Sequence, residues 1–152
     1  MTSRRKLYLE DIEPGSVWGS DRYVVTAEDI LGFASQWDPQ VFHLDHDAAA
    51  DTFFGGLAAS GWHTGAITMR LLVTGEFQPE GGIIGAGVEE LKWLRPVRPG
   101  DVLSLRTEVL ETRAMKSKPG QGICRIRVTT LDGEGQPVQT FTSPLVVRTR
   151  PA

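Results

Sequence analysis

Hydrophobic spacing changes character near Gly75. Before it, apolar residues recur mainly at helical intervals; after it, they alternate with polar ones. Ile30, Leu31, Phe33, Ala34 and Trp37 form one apolar face at helical period. Thr26 stands where it can cap that helix, and Asp29 occupies the capping-box position three residues on. Gly32 weakens the helix by ~1 kcal/mol relative to Ala, which implies close packing there. Asp38-Pro39 ends it, because a residue before proline is pushed out of the helical region. Ahead of this helix, Val17 to Val25 reads as a strand. Behind it, Asp45 can cap a short helix through Ala48, Ala49 and Ala50, with Gly55-Gly56 as its stop. A third helix is expected from Ser60, as N-cap, to about Thr74. Ala66, Ile67, Met69, Leu71, Leu72 and Val73 surround most of its circumference, so it belongs inside the protein.

The second half supplies the sheet to hold it. Gly85 to Pro96, Val102 to Glu111, Gly122 to Leu131 and Val138 to Val147 are strand candidates. Cys124-Arg125-Ile126-Arg127-Val128 alternates strictly, which marks one wet and one dry face of an antiparallel sheet. Pro99-Gly100, Pro119-Gly120 and Asp132-Gly133 supply turns between the strands. The pattern predicts an α+β fold over residues 1–152, one domain in which an antiparallel sheet curls around a long central helix.

Composition narrows the function. Hydrophobic residues are 40% and charged residues 23% of the chain, ordinary for a globular protein. A net charge of −3 argues against nucleic acid as a partner, since phosphate neutralisation needs a basic face. No apolar stretch follows the basic start MTSRRKLYLEDI, and none approaches the ~18–20 residues of a membrane span. A secretory leader and a membrane partner are therefore not expected. The single cysteine, Cys124, sits in a strand-like run and reads as a core thiol, which fits a reducing, cytoplasmic setting.

The chemistry concentrates between Trp37 and Thr64. All three histidines, His43, His46 and His63, lie in this stretch. Asp38 and His43 are five positions apart, and a Ser60-Gly61 step precedes the third helix. Each residue also has a plainer reading. Asp38 can be a helix boundary before proline, His43 and His63 packing residues, His46 a solvated side chain, Ser60 an N-cap and Gly61 a helix-packing glycine. A metal site from His43, Asp45, His46 and His63 is not expected, because the His-x-x-His spacing is not that of the familiar zinc motifs. Phe53, Phe54 and Trp62 are candidates either for an acyl pocket or for the core.

The segments Asp38-Pro39-Gln40-Val41-Phe42-His43-Leu44-Asp45, Ala59-Ser60-Gly61-Trp62 and Leu94-Arg95-Pro96-Val97-Arg98-Pro99-Gly100-Asp101 resemble the MaoC-like dehydratase family. That family includes the (R)-specific enoyl-CoA hydratases and has the hotdog fold. The resemblance runs from about Leu9 to Val147. The family's motif has the form Asp-x-Asn-Pro-(Leu/Ile)-His. This chain keeps its Asp and His at the same spacing, but Gln40 stands where Asn is usual, Val41 where Pro is usual, and the proline has moved to Pro39.

What the resemblance implies is a hydro-lyase acting on an enoyl thioester. In that reaction water must lose a proton as it attacks the β-carbon, the α-carbon must gain one, and a donor must steady the charge on the thioester oxygen. The resemblance assigns the first two roles to Asp38 and His43 and the third to the Gly61 N–H, with Ser60 as cap or support. It further implies an acyl-CoA substrate, no metal or redox cofactor, and a homodimer or dimer of dimers. Lys92, Arg95 and Arg98 are candidates for the charged end of CoA, or solvated surface charge. A hotdog thioesterase and a non-catalytic acyl-CoA-binding module remain as alternatives.

Overall fold

The structure is a computed structural model that describes residues 4–152. Six strands and three α-helices follow in the order β1 (Val17–Trp18), β2 (Tyr23–Val24), α1 (Ala27–Trp37), α2 (Val41–Leu44), α3 (Gly61–Val73), β3 (Glu89–Trp93), β4 (Val102–Ala114), β5 (Gln121–Leu131) and β6 (Pro137–Arg148). All named strand pairs are antiparallel, in the order β1-β4-β5-β6-β3, with β2 also paired to β4. Strands β4, β5 and β6 form a meander joined by short turns. Gly100 and Gly120 take positive φ values of 90° and 87° in the turns before β4 and β5, where a side chain would be strained.

The sheet curls around α3, as the hydrophobic pattern predicts. Ile67, Leu71 and Leu72 of α3 are buried in a core completed by Leu103, Leu105 and Val109 of β4, Cys124, Ile126 and Val128 of β5, and Leu145 and Val147 of β6. Full burial of each such aliphatic side chain contributes ~1.5–3 kcal/mol. Burial also pushes the Cys124 thiol up to about 12, so the cysteine is an inert core residue, as its strand setting implied. Among the described residues no helix is long and apolar enough to cross a membrane.

Several local expectations are corrected. The strand expected over Val17–Val25 is two short strands, interrupted where the Gly19 N–H bonds the Glu76 carboxylate. The expected Gly85–Pro96 strand is ordered only at Glu89–Trp93, with an isolated bridge at Gly85; a bulge between Glu89 and Lys92, with Glu90 at φ 52°, breaks the ladder. The short helix after Asp45 is a 3-10 turn, Ala48–Asp51, whose N-cap position falls on Asp47 instead of Asp45; the Asp45 carboxylate still accepts from the Asp47 and Ala48 N–H groups at its start. It ends at Thr52, ahead of the glycine pair. Gly32 is exposed with nothing near its missing Cβ, so it does not mark close packing. Thr26 caps α1 through the Asp29 N–H, but the Asp29 carboxylate accepts from the Tyr23 hydroxyl instead of closing the capping box. Helix α3 is buried on one side only: Trp62, Met69 and Val73 on its other side are exposed.

Candidate active site

Asp38 and His43 meet because α2, four residues long, turns the chain between them. The His43 Nε2 lies 3.3 Å from Asp38 Oδ2, with the imidazole almost fully buried and the carboxylate partly open. On its far side His43 Nδ1 is 2.6 Å from the Ala58 carbonyl oxygen. A carbonyl only accepts, so Nδ1 carries a proton and Nε2 is the nitrogen that faces the carboxylate. Phe42 meets the imidazole edge-on at 4.6 Å and Phe54 tilts against it at 6.0 Å, fixing the ring between aromatic walls.

This arrangement has a chemical consequence. With a neutral imidazole, a lone pair on Nε2 faces an anionic oxygen. The contact becomes favourable when a proton or a donating water molecule lies between the two groups. The spacing therefore suits one proton or one water molecule between the two groups. Burial pushes the Asp38 carboxyl up, but the Gln40 amide, the Ser60 hydroxyl and His43 together outweigh it, and its pKa lies below the ordinary carboxylate value. The strongest of these opposing contacts is Gln40 Nε2 donating to Asp38 Oδ1 at 2.6 Å.

Ser60 and Gly61 stand at the start of α3, where the sequence placed them. Ser60 occupies the N-cap position without a side-chain capping bond. Its hydroxyl is buried, lowers the Asp38 pKa from close by, and lacks a hydrogen bond of good geometry to any group. Gly61 is the first helical residue, so its N–H has no intrahelical acceptor and sits at the positive end of the α3 dipole. A Cβ at Gly61 would collide with the Trp93 indole, so only glycine fits beneath that ring. Trp93 belongs to the edge strand β3, and nothing in local sequence announced the contact.

Asp38, Gln40, His43 and Gly61 open onto a cavity of about 770 Å³. Phe53, Phe54 and Trp62 line it together with Trp93, so the aromatic candidates for an apolar pocket do face it. Of the proposed cationic contacts, Arg95 lines the cavity and is paired with Asp132 at 3.2 Å. Arg98 is engaged elsewhere, because its guanidinium bonds the Phe54 and Leu57 carbonyls and tethers the loop that carries Ala58. Lys92 is part of β3 and stands away from the cavity lining.

The remaining histidines stay outside this geometry. His46 is exposed. His63 stacks on Phe33 at 4.7 Å between near-parallel rings, and burial pushes its pKa down, so it packs α1 on α3. Among the described residues no three His, Cys, Asp or Glu side chains converge as metal ligands.

Comparison with known proteins places this geometry in a lineage. A family model described as a MaoC like domain matches residues 13–130. The crystal structure of a MaoC-like dehydratase from Rhodospirillum rubrum superposes with a TM-score of 0.92 at 50% identity, covering 96% of this chain and 99% of that one. An R-hydratase from Pseudomonas aeruginosa gives a TM-score of 0.76 at 25% identity, over 95% of this chain and 88% of the other. A 3-hydroxybutyryl-CoA dehydratase from Methylorubrum extorquens is 32% identical over 70% of this chain and 66% of its own length. The domain match spans both the Asp38–His43 turn and the Ser60-Gly61 helix start, and the fold is the hotdog arrangement of these neighbours. The chain belongs to the MaoC-like dehydratase family.

Proposed function

We propose that the protein is a hydro-lyase that adds or removes water across the double bond of an enoyl thioester, with an (R)-specific enoyl-CoA hydratase activity as the specific form. The observation that carries this reading is the 3.3 Å approach of Asp38 and His43 at a cavity that Gly61, the first residue of α3, also lines. A water bound between carboxylate and imidazole loses one proton to the pair as its oxygen bonds the β-carbon. The electrons of the double bond move toward the thioester oxygen, where the Gly61 N–H steadies the charge. The pair then returns a proton to the α-carbon, and all atoms are accounted for. Proton transfer of this kind requires no metal and no redox cofactor. The apolar walls fit an acyl chain, and the buried Cys124 thiol fits a reducing, cytoplasmic setting.

Crotonyl-CoA separates this reading from its rivals. Loss of the enoyl absorbance without release of free thiol signals hydration. Release of free thiol with the double bond intact signals a thioesterase. Binding without either product leaves an acyl-CoA-binding module.

Gln40 provides a pH test. Replacing it with Ala removes the strongest group holding the Asp38 carboxyl down. The folded-state pKa then rises toward the ordinary value, and the carboxylate is protonated at higher pH. The acid limb of the kcat/KM profile is expected to move upward in Gln40→Ala. A uniform drop in rate with an unmoved limb would restrict Gln40 to building the loop.

The proposed assembly is a homodimer. Strand β3 ends the sheet, and Trp62, Met69 and Val73 of α3 and Ile84, Val88 and Trp93 are exposed apolar side chains. A second copy related by a two-fold axis would cover both edge and patch. Sedimentation at micromolar concentration is expected to give twice the 16.7 kDa chain mass. A fully active monomer would overturn this assembly.

A further inference from the structure

A hydrogen-bonded bar crosses the inner face of the sheet behind the cavity. Thr130 on β5, Gln139 on β6 and Trp93 on β3 are successive cross-strand partners in one row. Trp93 Nε1 donates to Gln139 Oε1 at 2.9 Å, and Gln139 Nε2 donates to Thr68 Oγ1 of α3 at 3.0 Å. Thr68 gives its own proton to the Thr64 carbonyl at 2.8 Å, so Thr130 is the donor in the 2.7 Å contact between the two hydroxyls. Gln139, Thr68 and Thr130 are fully buried. A glutamine in the middle of a strand, without access to water, is costly unless its polar atoms are paired, and here both the oxygen and the nitrogen of the Gln139 amide have partners.

On either side of the bar the surroundings are apolar. The large cavity is lined by Gly61, Trp62 and Thr64 of α3, by Val138 of β6 and by Trp93. A second, mostly apolar groove of about 230 Å³ lies farther along the same elements, lined by Met69 and Leu72 of α3 and by Phe141, Ser143 and Leu145 of β6. Gln139, Phe141, Ser143 and Leu145 are spaced by two along β6 and share one face. Along α3, Thr68 falls between Thr64, which lines the first space, and Met69, which lines the second; along β6, Gln139 falls between Val138 and Phe141 in the same way.

We propose that the Trp93–Gln139–Thr68–Thr130 bar sets the acyl-chain length that the protein accepts. This rests on the reading of the cavity as an acyl-thioester site. A short acyl group fits in front of the bar. A longer chain must displace a satisfied amide and an indole that also packs over Gly61. The groove beyond is an extension that opens when the bar is shortened. Gln139 and Thr68 act as positioning residues for Trp93, which touches the chain.

Equilibrium binding tests this without depending on hydration. Saturated acyl-CoAs from about four to twelve carbons are titrated into the wild type, Gln139→Ala and Trp93→Ala, and hydration of the matching enoyl-CoAs is measured in parallel. In the wild type, affinity is expected to fall by at least about tenfold beyond a short chain. In each variant the cut-off is expected to move to longer chains, since methylene-sized fit in an apolar pocket is worth ~10–200-fold. Trp93→Ala, at a partly exposed edge position, covers the case in which the Gln139 variant fails to fold. An unchanged cut-off in folded variants, or a wild type that binds the longest chain as well as the shortest, would overturn the bar. A shifted cut-off without hydration would retain it and discard the hydro-lyase; no binding at any length would discard both.

Discussion

Asp38→Asn and His43→Asn are each expected to lower kcat by ~10²–10⁴-fold, the usual contribution of a positioned acid or base. The choice of asparagine follows from the geometry. His43 is buried and donates through Nδ1 to the Ala58 carbonyl at 2.6 Å. His43→Ala would leave that carbonyl unpaired, at ~1–3 kcal/mol, and would confuse lost chemistry with lost folding. An asparagine amide retains a donor near the Nδ1 position and removes Nε2. At position 38, asparagine keeps an oxygen to accept from Gln40 and removes the charge. In the proposed mechanism the two groups act as a unit, so their losses should not add: the double variant is expected to resemble the slower single variant. Steady-state hydration of crotonyl-CoA, with thermal melts as the fold control, decides the matter. Near wild-type turnover in the double variant would remove both residues from the mechanism.

The second large effect concerns the Gly61 N–H. A direct Gly61→Val change should cost about two to three orders of magnitude, roughly the effect of a lost oxyanion donor, but it cannot isolate that donor. Its Cβ would strike the Trp93 ring, so displacement of the indole alone could explain a dead enzyme. The informative comparison places both partners in a Trp93→Ala background. Gly61→Ala there has room for its methyl and keeps the N–H. Gly61→Pro removes the N–H at the first helical position, the one position in a helix that tolerates proline well. Ser60 already has φ −55° and ψ 141°, a conformation compatible with a following proline. The proline variant is expected to be ~10²–10³-fold slower than the alanine variant, measured as kcat on a single enoyl-CoA. Equal rates would relocate the oxyanion donor away from Gly61.

How far the sequence foretold these features depended on the range of the interactions involved. Helices α1 and α3 were legible because both run long enough, at 11 and 13 residues, to repeat their apolar spacing. Helix α2 was not, since four residues hold one turn and no period. Its existence is nonetheless what folds Asp38 back onto His43. Ser60 was read from its local offset as a cap; it does hold the N-cap position of α3, but its buried hydroxyl makes no capping bond. Gln40 was visible as a departure from the family motif; its bond to Asp38 was not. Gln139 did leave a signal, a glutamine inside the run Pro137-Val138-Gln139-Thr140-Phe141, where burial demands a partner. Its partners lie on α3 and β3, and no spacing within one strand can name them.

The Ala58 carbonyl that orients His43 lies just before Gly61 in a short buried stretch. The same Ala58 also engages the Phe42 carbonyl through its N–H at 3.0 Å, and the Ala59 N–H holds the Val97 carbonyl at 2.8 Å. His43 and the first residue of α3 are thus attached to one short splint. A displacement of that splint would move His43 and Gly61 in the same direction. Misplacement of about 1 Å between reacting groups can cost ~10²-fold in rate. Under the proposed chemistry the quantity to be held constant is the separation of His43 from Gly61, and one short splint carries both residues.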